Sequence, residues 1–179
     1  MAITIYPDGK IIDSNGRNIN QALMMVDQWR RTATLNTSAA ENFITSDWER
    51  VDNSGQGTLG TGMSESGGIF TFPTTGIYSV SWQAYAEDST GSATNAVNVY
   101  LTTDNSTYTN TASGLQSVTD SAGSGTYEYG FMRAETLVDV TDTSLVKVKF
   151  RVYSSGGVAW DISSSENRNC ATFIRLGDT

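Results

Sequence analysis

Apolar and polar residues alternate with a period of two along most of this chain. The clearest run is Gly68-Ile69-Phe70-Thr71-Phe72-Pro73-Thr74-Thr75-Gly76-Ile77-Tyr78-Ser79-Val80-Ser81-Trp82. A short apolar strand enters a Pro/Gly turn and a longer strand leaves it. Tyr78, Val80, Trp82 and Ala84 fall on one face, and Ser79, Ser81 and Gln83 on the other. That period marks a strand with one buried face. Val97, Val99 and Leu101 alternate in the same way, as do Val146, Val148, Phe150 and Val152. Strands are predicted near 32–36, 43–51, 69–72, 76–86, 95–103, 126–139, 145–154, 158–162 and 170–177. Loops rich in Ser, Thr, Asn and Gly separate them at 53–68, 87–94, 104–125 and 154–157. Strands at this spacing, joined by polar turns, point to a sandwich or jelly roll rather than to βαβ units.

Residues 1–31 follow a different pattern. Ile3-Thr4-Ile5-Tyr6, Pro7-Asp8-Gly9 and Lys10-Ile11-Ile12 spell a small hairpin with Asp-Gly at its turn. A helix is predicted from about Asn20 to Arg31, where Ile19, Leu23, Val26 and Trp29 roughly keep helical spacing and Asn18 or Asn20 would cap it. Arg30 and Arg31 would suit the negative end of its dipole. A helix this short needs a surface to pack on. The chain therefore divides into a docking segment, 1–31, with Ile3, Ile5, Leu23, Val26 and Trp29 as its contact residues, and a β domain, 32–179.

Composition narrows the function. The chain has 179 residues, 17 of them Gly and only 2 Pro, with 38% hydrophobic and 17% charged residues. Four Trp, eight Tyr and six Phe are enough for a sizeable core. The net charge is −8 and sits in the β domain, since residues 1–31 carry four basic and three acidic residues. An acidic body repels phosphate backbones, so nucleic acid is not an expected partner. There is no histidine, which removes Ser-His-Asp and Cys-His catalysis and His-ligated zinc together. The single Cys170 cannot form an internal disulfide and reads as a buried, inert thiol. No apolar run approaches the roughly 20 residues of a membrane helix, and the first ten residues lack the pattern of a signal peptide. Membrane insertion is not expected, and virion assembly followed by lysis is one route out of a cytoplasm.

Four large aromatic residues fall out of phase with the apolar face of their strands. Tyr85 opposes Trp82 and Ala84, Tyr100 opposes Val99 and Leu101, Tyr153 opposes Val152, and Phe173 opposes Ile174. Aromatic residues are enriched at interface cores, so these four are read as contacts between subunits. Residues 68–86 also resemble the "G-x-F-x-x-P-x-x-G-x-Y" opening of a C1q/TNF-like jelly-roll head. Trp48-Glu49-Arg50-Val51-Asp52 with its Gly-rich loop is similar to that family's first strand pair. Residues 138–148 resemble its "L-x-x-G-D-x-V-x-V" turn, with Thr141-Asp142 in place of Gly-Asp. Residues 171–178 resemble its closing strand without the internal Gly. The likeness covers about residues 32–177. It implies an antiparallel jelly roll and a homotrimer with aromatic axial contacts, which would place Tyr100 and Phe173 at the axis.

Motifs for chemistry are weak. Gly55-Gln56-Gly57-Thr58-Leu59-Gly60 matches the dinucleotide pattern, but no helix is predicted after it to meet a pyrophosphate. Glu87-Asp88 and Asp139/Asp142 are carboxylate pairs. A glycosidase needs two such groups about 5 to 10 Å apart across a cleft, and neighbours in one loop rarely meet that. Asp88 and Asp104 could offer oxygens to Ca²⁺, without the spacing of an EF-hand. Lys147, Lys149 and Arg151 share the outward face of one strand, where they guard an edge or meet an acidic face of a sister subunit. Asn36-Thr-Ser and Asn105-Ser-Thr match the glycosylation pattern. Neither a catalytic set, a cofactor nor a metal is expected.

The expectation is a non-enzymatic, trimeric structural protein of a bacteriophage: a capsid decoration protein or a head- or tail-fibre knob. Residues 1–31 would dock on a major capsid, fibre or tail protein, and loops 87–94 and 104–125 would face outward, with a host-surface glycan as a candidate partner. The alternative is a carbohydrate- or receptor-binding C1q-like module outside a virion, with Tyr108 and Tyr127 as sugar-stacking candidates.

Overall fold

The computed structural model describes residues 3–7, 11–14, 25–38, 40–88, 93–118, 128–161 and 166–179. Every regular element among them is a β-strand. In chain order these are β1 (Ile3–Ile5), β2 (Ile11–Asp13), β3 (Met25–Arg31), β4 (Leu35–Thr37), β5 (Ala40–Phe43), β6 (Trp48–Arg50), β7 (Ser64–Ser66) and β8 (Ile69–Thr71). The rest are β9 (Gly76–Asp88), β10 (Ala93–Thr102), β11 (Thr109–Val118), β12 (Glu128–Val140), β13 (Lys147–Ser154), β14 (Val158–Trp160) and β15 (Cys170–Gly177).

Strands β1 and β2 form the expected hairpin, with Thr4 opposite Ile12. The others build two antiparallel sheets. The first runs β12-β9-β15-β3-β6, with β14 and β4 continuing it from the far end of β9. The second runs β11-β10-β13-β8-β7, and β5 pairs with the other end of β13. The 13-residue β9 is the spine of the first sheet: β12 covers one edge over its whole length, and β15 and β14 share the other.

Period-two patterning explains the core. Tyr78, Val80, Trp82, Ala84 and Ala86 of β9 are buried and meet Phe70, Val97, Val99, Val148, Phe150 and Val152 of the second sheet. Aromatic rings knit the two layers together. Phe70 lies edge-on to Trp48, with centroids 5.0 Å apart, and leans against Phe173 at 5.1 Å; Trp82 stacks on Phe150 at 5.4 Å. Edge-to-face and offset pairs of this kind add to the area they bury. The sandwich is the jelly roll that the strand spacing predicts.

Three expectations change. The predicted helix over 20–31 is a strand from Met25 onward; residues 20–24 lie outside the described residues. Position 25–31 offers hydrogen-bonding partners on both sides, β15 and β6, and that tertiary pairing overrides the helical spacing. The boundary of the sandwich therefore lies before Met25, not at Thr32. The segment 104–125, read as loop, contains the ten-residue β11. The single strand at 43–51 is two strands in different sheets, β5 and β6, with Asp47 in the left-handed region (φ 60°) between them.

Candidate functional site

The isolated chemical motifs do not assemble. Glu87 and Asp88 are consecutive residues of β9 and point to opposite faces, Asp88 inward. Asp142 is exposed and occupied by its own turn: its Oδ1 accepts the Ser144 N–H at 2.7 Å and the Ser144 hydroxyl at 2.6 Å, which lowers its pKa. Asp104 is held further down by the N–H groups of Thr107 and Ser106 and the Thr102 hydroxyl, all on Oδ1. No group of three or more acidic or Cys side chains among the described residues is placed to hold a metal. The Gly55–Gly60 loop leads through a turn into β7. Leu59 exchanges both backbone hydrogen bonds with Val26, at 2.9 and 3.1 Å.

That loop closes over a buried carboxylate which the sequence reading passed over. Asp27 is fully buried on the inward side of β3. It accepts hydrogen bonds from Met63 N (2.7 Å), Trp29 Nε1 (2.9 Å), Arg50 Nε (3.1 Å) and Thr58 Oγ1 (3.2 Å). A buried charge needs such a set of partners. Asp27 is a structural staple, and Trp29 is one of its ligands. The Trp29 ring lies edge-on to Phe70 at 5.6 Å and under the Arg50 guanidinium at 4.7 Å. Trp29 therefore belongs to the sandwich and is not a docking residue. Val26 lies in the same strand on its outer side. Ile5 is 71% exposed in the hairpin, beside Ile3 in β1; Leu23 lies outside the described residues.

What remains are two large surfaces, the outer faces of the two sheets. On the first sheet, the register aligns Leu137, Ser79, Ile174 and Val26 in one row across β12, β9, β15 and β3, and the Val26–Leu59 bridge extends it. The next row is Glu135, Ser81, Thr172 and Gln28. Leu137 is 65% exposed and Phe131 52%. Phe131 sits opposite Tyr85, whose ring stacks on Tyr129 at 5.4 Å and lies under Arg168 at 5.2 Å. Arg168 in turn pairs with Asp161 and Glu166. The face is mixed: apolar and aromatic side chains stand toward the two ends of β12, and the Arg133–Glu135 ion pair, Gln28 and small hydroxyls lie between them.

The outer face of the second sheet has the opposite character. Tyr100 of β10 stands between Lys149 of β13 and Asn110 of β11, and Asn98 between Arg151 and Ser113. Phe43 of β5 faces Arg151. The Phe43 and Tyr100 rings meet edge-on at 5.0 Å. Lys149 Nζ sits 4.0 Å from the Phe43 ring centre and 4.1 Å from that of Tyr108. Burial between them pushes its pKa below the ordinary lysine value. The Arg151 guanidinium lies 5.0 Å from Tyr100, donates to Asn98 Oδ1 (3.1 Å) and pairs with Glu41 at 2.5 Å.

The four aromatics predicted as subunit contacts thus separate. Tyr85 lies on the outer face of the first sheet. Tyr100 and Tyr153 lie on the outer face of the second, on the other side of the sandwich, so they do not form one cluster with Tyr85. Phe173 is wholly buried against Phe70 and Phe150, so it cannot line an axis between subunits. The residues missed were Phe131, Leu137 and Tyr129. Their signal was present in β12, where apolar side chains stand at positions alternate to Met132, Ala134 and Val138.

No family sequence model matches the chain, and no curated protein sequence matches it. Solved structures do. Eiger TNF from S. frugiperda superposes with a TM-score of 0.64 at 12% identity, over 88% of this chain and 96% of that one. Murine APRIL at pH 5.0 superposes with a TM-score of 0.57 at 15% identity, over 85% and 98%. Two further APRIL structures, at pH 8.5 and pH 8.0, give TM-scores of 0.55 and 0.54. The fold is a TNF-like jelly roll. At this identity the likeness defines architecture, and function has to come from the surfaces.

Proposed function

We propose that this chain is a non-enzymatic structural head of a bacteriophage particle, a capsid decoration protein or fibre knob, assembled as a homotrimer through the outer face of its first sheet. The observation that carries the assembly is the row Leu137–Ser79–Ile174–Val26, which ends on an exposed Leu137 at one side and is bridged to an exposed Leu59 at the other. Exposed apolar side chains gathered in one row of a sheet face mark a protein-contact surface. A flat face with small hydroxyls lets a second sheet approach closely. In a closed ring of three identical copies this face of one copy meets a different patch of the next, so every copy has it covered. The hairpin β1–β2 supports a docking role for the N-terminal segment. Two strands alone are marginal in water, and an exposed Ile5 is better used against a partner.

Light scattering after gel filtration of the full chain tests the assembly: a mass of three chains is expected, and a monomer would overturn it. Antibody labelling of purified phage particles in electron micrographs tests the virion role. Labelled heads or fibres are expected, and a chain found in the lysate but never on particles would remove that role. The exposed aromatic and cationic face of the second sheet favours a second role, recognition of a ligand.

A further inference from the structure

The outer face of the second sheet gathers cations in a strongly acidic chain. Lys147, Lys149 and Arg151 alternate along β13. Alternate residues of a strand stand about 6.6–6.8 Å apart, so the three span about 13 Å. Glu41 pairs with Arg151, and Asp104 is occupied by its own turn. Lys147 Nζ reaches Thr71 Oγ1 at 3.3 Å. Lys149 makes no hydrogen bond to an acceptor among the described residues. The rings of Phe43 and Tyr108 lie against its ammonium. An ammonium carries three donors, and a ring quadrupole attracts the charge without taking a proton in a hydrogen bond. The site is therefore open to an anion.

The surroundings decide which anion. Phe43 is 39% exposed, and Tyr100, Tyr108 and Tyr153 are half-buried. Near them stand the exposed Asn110 of β11, whose Nδ2 donates to Ser113 Oγ at 3.0 Å, and Thr71; Asn98 is buried, with its Nδ2 on Ser113 Oγ (2.7 Å) and its Oδ1 on Arg151. Flat rings cover the C–H face of a sugar, amides and hydroxyls pair with its hydroxyls, and ammonium groups pair with its carboxylates. A nucleic acid would need a longer positive track than one strand offers, and the remaining acids of the chain would repel it.

We propose that the β10–β13–β5 face is a binding site for an acidic polysaccharide, a polymer whose sugars carry carboxylates. In an assembly closed through the first sheet, this face points outward, because the two outer faces lie on opposite sides of the sandwich. The site needs only the sandwich, so it does not depend on the virion role.

The test uses the full chain and immobilised polygalacturonate and polysialic acid, with neutral dextran and poly-L-glutamate as controls. Both acidic glycans should bind at low salt and weaken as salt rises. The variant Lys147→Gln/Lys149→Gln should bind them about tenfold more weakly or less, while Lys149→Arg keeps binding and both variants melt as the parent does. Dextran should not bind. Absence of binding to both acidic glycans, or binding that the double variant leaves unchanged, would overturn the proposal. Equal binding to poly-L-glutamate would reduce the site to charge alone and overturn the sugar assignment. A lower mass for the double variant, without glycan binding by the parent, would make this face a subunit contact instead.

Discussion

Asp27 shows how one side chain fixes a loop that has no regular structure of its own. Its carboxylate reaches residues 50, 58 and 63 together. Removing one partner of a buried pair leaves the other uncompensated. Asp27→Asn keeps the shape and loses the charge, and should lower stability by about 3 kcal/mol in urea unfolding; an unchanged midpoint would contradict the staple. Cys170 is a second residue with a measurable signature. Burial pushes its thiol up to about 11. A raised pKa in the folded state means that the unfolded thiol ionises first. The stabilisation is therefore complete below about pH 9 and is lost as pH climbs toward 11. Native protein should resist thiol reagents at pH 8 and react once unfolded, and Cys170→Ala should flatten part of the stability decline between pH 9 and 11. Cys170 was legible as an inert thiol from the sequence. Asp27 was not, since its partners other than Trp29 lie 23 to 36 positions away. Phe173 was misassigned for a local reason. In Cys-Ala-Thr-Phe-Ile-Arg-Leu-Gly both alternating sets contain apolar residues, and the buried set includes Arg175, whose Nε donates to Thr75 O at 3.1 Å.

At the scale of elements, β3 matters most. It lies between β15 and β6 and supplies Asp27 and Trp29. A chain beginning at Thr32 should fail to fold cooperatively, whereas one beginning at Met25 should keep a sharp thermal transition; equal melting of the two would show that β3 is dispensable. Long apolar strands such as β9 and β13 were readable because one face is buried and the other is not. Strand β11, Thr-Asn-Thr-Ala-Ser-Gly-Leu-Gln-Ser-Val, was not, because an edge strand needs little apolar patterning to hold its place. Its Gly114 reports a contact that pattern alone does not show. A Cβ there would meet the Arg133 carbonyl oxygen at 2.1 Å, so β11 passes directly against the backbone of β12. Gly114→Ala should loosen that approach and raise amide exchange in both strands, with β9 unaffected.

The whole molecule is a sandwich with two unlike outer faces, one crossed by an apolar row and one cationic and aromatic. The alternation of β12 held the first in plain sight, yet reading each strand alone hid the row that forms only when four strands are set in register. Phe131→Asp with Leu137→Asp should convert the assembly to monomers of unchanged fold, read by light scattering and circular dichroism; an intact assembly would move the interface elsewhere. The pairing of β3 with β15 has a further consequence, in time rather than in space. Gln28 and Thr172, bonded at 3.0 Å, are 144 residues apart in the chain. During synthesis β3 can pair early with β6 but waits for almost the whole domain before β15 appears on its other side, so the first sheet cannot close strand by strand. Loop closure over that length precedes any reward from pairing. Refolding should be slow for a domain of this size, and a nascent chain stalled before Cys170 should present an unpaired β3 edge to chaperones or to sister chains.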